Sequence, residues 1–193
     1  SHQVAWQNID GKIKKQIDIP VSTDELEFAF NEMREFFEAG DVDLLLLEMM
    51  SIPERAVPLY DCVSNSTLPV WCGLSAKRID HKSKITSFHD ELVSFENNVK
   101  TASRYNFDVM GIMHTAVDLI SDCNSIIKNH HTGPLMAYPD SGYFQAPNWQ
   151  FVDIITPQNL LKFAEVWKTE GMQIIGGCCG LGPEHTNFLS RLK

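Results

Sequence analysis

From Asp43 onward, short and uniformly apolar runs alternate with longer segments whose apolar residues recur every three to four positions. The first run, 44–47, is four consecutive leucines. It is too short for a helix and too hydrophobic for a strand with one wet face, so it predicts a parallel strand covered on both sides. Similar runs follow at 69–74, 107–113, 134–138 and 172–175. Between them, helical periodicity predicts helices at 53–63, 88–104, 116–129 and 157–168, with a last helix after Pro183. Ser51 before Ile52-Pro53 and Thr156 before Pro157 stand where helix N-caps belong. Ahead of this series, Ser22 and Glu25 form a capping box. Leu26, Ala29, Phe30, Met33, Phe36 and Phe37 then recur at helical spacing as far as Gly40, which predicts a helix whose aromatic stripe is core.

The first residues carry weaker signals. Segments 4–6 and 17–19 are candidate strand fragments around a turn at Asp10-Gly11, while Pro20 and Lys12, Lys14 and Lys15 mark 1–21 as a partly exposed lead-in. No linker, repeat or low-complexity tract interrupts 22–193, which reads as one unit.

Alternating strands and helices predict an α/β fold with a parallel sheet, either doubly wound or closed as a (β/α)8 TIM-type barrel. Polar and reactive residues collect just after the runs: Glu48, Ser75, His114, Asp140, and the pair Cys178 and Cys179. Strand ends carry the chemistry in both architectures. No glycine-rich phosphate fingerprint follows any run, which favours the barrel. Only about the last five β/α units of such a barrel are evident, against a usual length of about 250 residues.

Composition narrows the function. The 193 residues are 44% hydrophobic with a formal charge of -9, enough for a sizeable core and contrary to a nucleic-acid surface, which needs clustered Lys and Arg. No stretch approaches the roughly 18 apolar residues of a membrane span, and Ser1-His2-Gln3 begins neither a signal peptide nor a natural reading frame, so a fragment of a longer chain is expected. Five cysteines without a secretion signal point to a reducing cytoplasm and to thiol or metal chemistry. Cys62 and Cys123 read as buried and inert, and Cys72 as packing. Gly176-Gly177-Cys178-Cys179-Gly180 is different: glycines let the backbone turn so that two adjacent thiols can face one point, as a metal site requires.

Together with Gly182-Pro183-Glu184-His185, this tail resembles the end of the homocysteine S-methyltransferases, a family that includes the betaine- and S-methylmethionine-dependent enzymes. The segment 40–48, ending Leu47-Glu48, is similar to the family's strand ending in glutamate. Tyr138-Pro139-Asp140-Ser141-Gly142 is similar to its tyrosine-proline-asparagine-serine-glycine turn. The resemblance covers roughly 22–193. It implies a barrel with zinc at its mouth, activating the thiol of homocysteine for methyl transfer from a donor such as S-methylmethionine or betaine, with methionine as product. It further implies Glu48, Tyr138 and Ser141 as substrate-binding residues, Glu48 holding the substrate ammonium.

Two departures stand out. The family's third zinc thiolate lies in a glycine-valine-asparagine-cysteine motif, where this chain reads Gly111-Ile112-Met113-His114. The implied zinc ligands are therefore His114, Cys178 and Cys179, a Cys2His set known at catalytic zinc. The exchange takes the site's formal charge from about -1 to about zero, with a more acidic and less nucleophilic bound thiol expected. Asp140 in place of asparagine adds a negative charge near the mouth, which would favour a cationic donor. The second departure is that the family's opening aspartate-glycine-glycine strand and the two strands after it are not visible. A missing half would be supplied by an N-terminal partner or by self-association. The alternative reading is a noncatalytic barrel-derived domain that binds a ligand or protein and keeps the cysteine pair for structure or metal.

Overall fold

A computed structural model describes residues 7–9, 12–14, 20–79, 84–145 and 150–192. The elements run as a hairpin β1 (Gln7–Ile9) and β2 (Lys12–Lys14), α1 (Thr23–Ala39), β3 (Leu45–Met50), α2 (Pro53–Val63), β4 (Val70–Leu74), a second hairpin β5 (Ala76–Arg78) and β6 (Ile85–Ser87), then α3 (Phe95–Ala102). They continue with β7 (Val109–Ala116), a 3-10 turn (Val117–Leu119), α4 (Ile120–Lys128), β8 (Leu135–Asp140), a third hairpin β9 (Tyr143–Gln145) and β10 (Gln150–Val152), α5 (Pro157–Thr169), β11 (Ile174–Ile175) and α6 (Pro183–Leu189).

Five strands form a parallel sheet in the order β11-β8-β7-β4-β3. Each strand therefore lies beside its predecessor in the series. A doubly wound sheet requires a reversal of this order, whereas an unreversed series of right-handed crossovers lays every helix on the same face, as in a barrel. Side-chain alternation agrees. Leu45, Leu47, Cys72, Leu74, Met110, Ile112, Leu135 and Ala137 join Tyr60, Val99, Ile120, Leu160 and Trp167 from the helices in one core. Leu46, Glu48, Trp71, Met113, Met136 and Tyr138 belong to the other face. Among the described residues the sheet is open, with β3 and β11 as its edges.

That inner face is filled by a reach across strands. A side chain at Gly73 of β4 would put its Cβ 2.6 Å from the Tyr138 hydroxyl and 3.2 Å from Met113 Cγ. Tyr138 on β8 thus leans over β7 onto β4, which only a glycine at 73 permits.

Several expectations are revised. Helix 88–104 is only Phe95–Ala102. Ser94 caps it through the Asn97 amide, at 3.2 Å. Residues 88–94 instead form a turn that folds back on the end of β6, where Ser87 N donates to Val93 O (2.9 Å). Asn98 of α3 holds that end, its Nδ2 donating to Met50 O (2.8 Å) and Ser87 Oγ (3.2 Å). Helix 116–129 begins only at Ile120, because β7 runs on past His114 to Ala116. Ser51 does not cap α2; its hydroxyl donates to Met49 O instead. The aromatic stripe of α1 is not core: only Phe30 is buried, while Phe36 is 73% exposed and Met33 44%. Its partner is α2 rather than the sheet, and periodicity identifies an apolar face without saying what covers it. The capping box at Ser22 and Glu25 and the cap at Thr156 form as expected. Cys72 and Cys123 are buried and Cys62 only partly so. The candidate strand fragments at 4–6 and 17–19 lie outside the described residues.

Candidate metal centre

At the C-terminal ends of β7 and β11 the structure brings His114, Cys178 and Cys179 together, with one donor atom from each within 4.8 Å of the others. Cys178 Sγ lies 3.8 Å from Cys179 Sγ and 3.8 Å from His114 Nδ1. Tetrahedral zinc with bonds of about 2.3 Å to sulfur and about 2.0 Å to nitrogen requires edges of about 3.8 Å between sulfurs and about 3.6 Å from sulfur to nitrogen. The donor types and these two spacings fit such an ion, and the third, between His114 and Cys179, is within 4.8 Å. Burial pushes the Cys178 thiol up to about 12, with the neighbouring Cys179 and Asp140 acting in the same direction. A cation is what would let both sulfurs be anions at once.

The backbone explains how the donors converge. Glycine at 180 takes φ +77°, and a side chain there would put its Cβ 2.0 Å from Ser141 O. The cysteine turn can consequently lie flat on the end of β8, where Cys178 N donates to Pro139 O (2.8 Å) and Ser141 N to Cys179 O (3.0 Å). His114 reaches the same point through strain. It has φ +42°, and the β7–β8 register shifts between Met113 and Ala116. A non-glycine residue there costs about 1–3 kcal/mol and persists only where its surroundings hold it. Thr115 Oγ1 does so by donating to Met113 O (2.8 Å) while accepting from Ala76 N (2.9 Å). The Phe88 ring meets the imidazole edge-on at 4.9 Å.

A second strained residue, Met49 at φ +60°, follows Glu48. Its carbonyl accepts from Ser51 N (2.7 Å), and its amide donates to Met113 Sδ (2.9 Å). Glu48 faces the Tyr138 hydroxyl, whose ionisation is opposed first by burial and then by the Glu48 charge. The hydroxyl itself is buried and makes no hydrogen bond of normal geometry. The charge of Cys178 also bears on Tyr138, so this pair borders the metal cluster. Ser141 is less available: its Oγ accepts from Ile155 N at 2.8 Å. His185 of the tail motif locks the wall, its Nδ1 accepting from Gly182 N (3.2 Å) and its Nε2 donating to Ile155 O (2.8 Å).

Sequence reasoning missed Phe88, which lies in a stretch expected to be helical. It also missed the nearness of Asp140 to His114, 3.9 Å between Oδ2 and Nδ1. The signal available for Asp140 was its place one residue beyond Pro139 at a strand end, but pairing across strands depends on register. Beside the cluster opens a cleft of about 800 Å³ lined by Lys77, Phe88, Asp118, Asp140, Ser141 and Asp153 among others.

Comparison with known proteins gives consistent relatives. Residues 7–192 match the family described as homocysteine S-methyltransferase, a match that begins within the segment read as a lead-in. The chain is 26% identical over 168 residues to homocysteine S-methyltransferase YbgG of Bacillus subtilis, covering 86% of this chain and 51% of that protein. It thus spans about half the length of the curated relative. Crystal structures of the homocysteine methyltransferase MmuM from Escherichia coli share the fold. The apo form superposes with a TM-score of 0.67 at 18% identity, covering 90% of this chain and 58% of that one. The metallated form gives 0.63 at 20% identity, covering 89% and 52%.

Proposed function

Because the chain belongs to the homocysteine S-methyltransferase family, we propose that it forms the thiol-activating wall of a zinc-dependent enzyme that methylates homocysteine to methionine, residues 22–193 being the C-terminal part of the barrel. The observation that carries this reading is the convergence of His114, Cys178 and Cys179 at the mouth of a parallel sheet. Those three side chains would hold the metal and leave a fourth position for substrate. Zinc held there would supply Lewis acidity, favouring the anionic form of a thiol whose ordinary pKa is about 8.5.

The chain's own residues do the rest. Glu48 would take the substrate ammonium by a charge-assisted hydrogen bond, and the Tyr138 hydroxyl facing it would add a hydrogen bond to the substrate. Both project from the inner face, with Tyr138 between Glu48 and Cys178, which would orient an amino acid with its ammonium at Glu48 and its sulfur toward the cysteines. The donor would approach from the cleft bordered by Asp140, Asp118 and Phe88. The substrate sulfur forms the new bond to the methyl carbon as the bond to the donor breaks. The electron pair leaves with the donor, so an onium donor departs as a neutral sulfide or amine and the thiol proton passes to solvent. Asp118, Asp140 and Asp153 on the cleft's lining suit a cationic donor such as S-methylmethionine or betaine, beside Lys77, whose ammonium lies over the Phe88 ring at 5.8 Å.

Metal analysis tests the reading directly. Purified chain is expected to carry up to one zinc, and His114→Ala to retain less than a tenth of it. Methionine formation from homocysteine, with each donor and with the chain alone or joined to an N-terminal barrel portion, tests the activity. A zinc-free wild type refutes the metal site. A second reading, a metal- or ligand-binding domain without turnover, draws on the open sheet edges at β3 and β11; bound zinc without methionine in any combination would select it.

A further inference from the structure

Charge around the His114–Cys178–Cys179 cluster does not end with its three donors. Asp140, at the end of β8, puts Oδ2 3.9 Å from His114 Nδ1, the same ring nitrogen that lies 3.8 Å from Cys178 Sγ. Both side chains are only 22% exposed, so solvent and salt screen the pair less than a surface pair. The placement is fixed by the fold. Ala116 and Asp140 are paired in the β7–β8 ladder beyond the irregularity that carries His114. The segment bearing Asp140 also clamps the cysteine turn on either side of it, through Pro139 O and Ser141 N. Asp140 nevertheless stands outside the group whose donor atoms lie within 4.8 Å of one another, so it acts on a held ion as a neighbouring charge.

Two thiolates and a neutral imidazole around a divalent ion sum to about zero; the Asp140 carboxylate brings the enclosure to about -1. We propose that Asp140 compensates for His114, returning to this donor set the negative charge that an imidazole does not bring, and that it thereby sets the affinity of the site for a divalent metal ion. The proposal rests on the reading of His114, Cys178 and Cys179 as metal ligands. It makes the two residues a coupled pair: the carboxylate matters because the third donor is neutral.

A double-mutant cycle on metal affinity tests it. Zn2+ dissociation constants of the purified chain would be measured by competition with a chromophoric chelator for wild type, Asp140→Asn, His114→Cys and the double variant. Co2+ absorption would report the donor set. Asp140→Asn is expected to weaken Zn2+ binding 10- to 100-fold, a usual loss when a group supporting a metal ligand is removed, while the sulfur-to-cobalt charge-transfer bands persist. Asp140→Glu, which keeps the charge, should recover most of that loss. In the His114→Cys background, where a third thiolate supplies the charge, adding Asp140→Asn should cost less than about threefold. If Asp140→Asn does not fold, Asp140→Ser takes its place in the cycle. Wild-type affinity in Asp140→Asn, or an equal loss in both backgrounds, overturns the pairing while leaving the metal site standing. A wild type that binds neither Zn2+ nor Co2+ overturns the metal site itself and the pairing with it.

Discussion

Tyr138 shows most clearly how a residue can be positioned for work rather than for stability. A buried hydroxyl without a hydrogen bond costs about 1–3 kcal/mol, yet this one is enclosed over Gly73 and faces Glu48 without a bond of normal geometry. Removing the hydroxyl should therefore do no harm to the free protein. Tyr138→Phe is expected to leave urea stability unchanged or to raise it by up to about 1 kcal/mol, while weakening homocysteine binding about tenfold, which corresponds to about 1.4 kcal/mol. Urea melts and calorimetric titration with homocysteine separate the two effects. A loss of more than 1 kcal/mol in the melts would mean that the hydroxyl has a structural partner. His114 and Met49 belong to the same pattern, since both positive-φ residues sit at strand ends within the proposed site.

At the scale of elements, α1 and α2 differ in how their apolar positions are used. Tyr60, Ala56 and Val63 of α2 enter the core, whereas α1 buries Phe30 alone and presents Phe28, Met33 and Phe36 to solvent. Substitutions should follow exposure rather than residue type. Phe30→Ala is expected to cost about 3 kcal/mol, in the range for truncating a buried phenylalanine, and Phe36→Ala less than about 0.5 kcal/mol, as for an ordinary surface position. Denaturant unfolding of the two variants decides this. Comparable losses would mean that the outer face of α1 is covered in the folded protein. The turns between β4 and α3 and between β8 and α5 are hairpins that bring Phe88, Lys77 and Asp153 to the mouth. The parallel strands thus supply the donors, and the added antiparallel pairs shape the cleft beside them.

For the whole molecule, the open sheet is the dominant fact. Among the described residues β3 pairs on one side only, and Leu46, 40% exposed, sits there beside an apolar groove of about 280 Å³ formed with α1 and α2. Unpaired edges with apolar neighbours promote association. The isolated chain is expected to associate reversibly as concentration rises, and Leu46→Lys to shift it toward monomer without loss of helical content. Sedimentation velocity and circular dichroism measure both; a wild type that stays monomeric to high concentration would show that the edge is already protected. No helix among the described residues is long and apolar enough to cross a membrane, and the matched part of this chain covers only 51% to 58% of the length of these relatives.

That five parallel strands alternate with helices was legible in the sequence, because interior parallel strands are nearly continuous apolar runs and five such runs occur with helical stretches between them. Their order, which separates a barrel-type series from a doubly wound sheet, was decided by the fold. The cysteine turn was legible for a related reason: adjacent thiols flanked by glycines have few structural uses. Tertiary structure alone decided the rest. The exposure of the α1 stripe depends on which surface meets it, and the turn after β6 that displaces the start of α3 depends on contacts of Ser87 and Asn98 with the β3 end. The nearness of Asp140 to His114 depends on the register of β7 against β8. Periodicity is a property of one segment, whereas burial, register and the distance between two charges are properties of pairs of segments, fixed only when the chain folds.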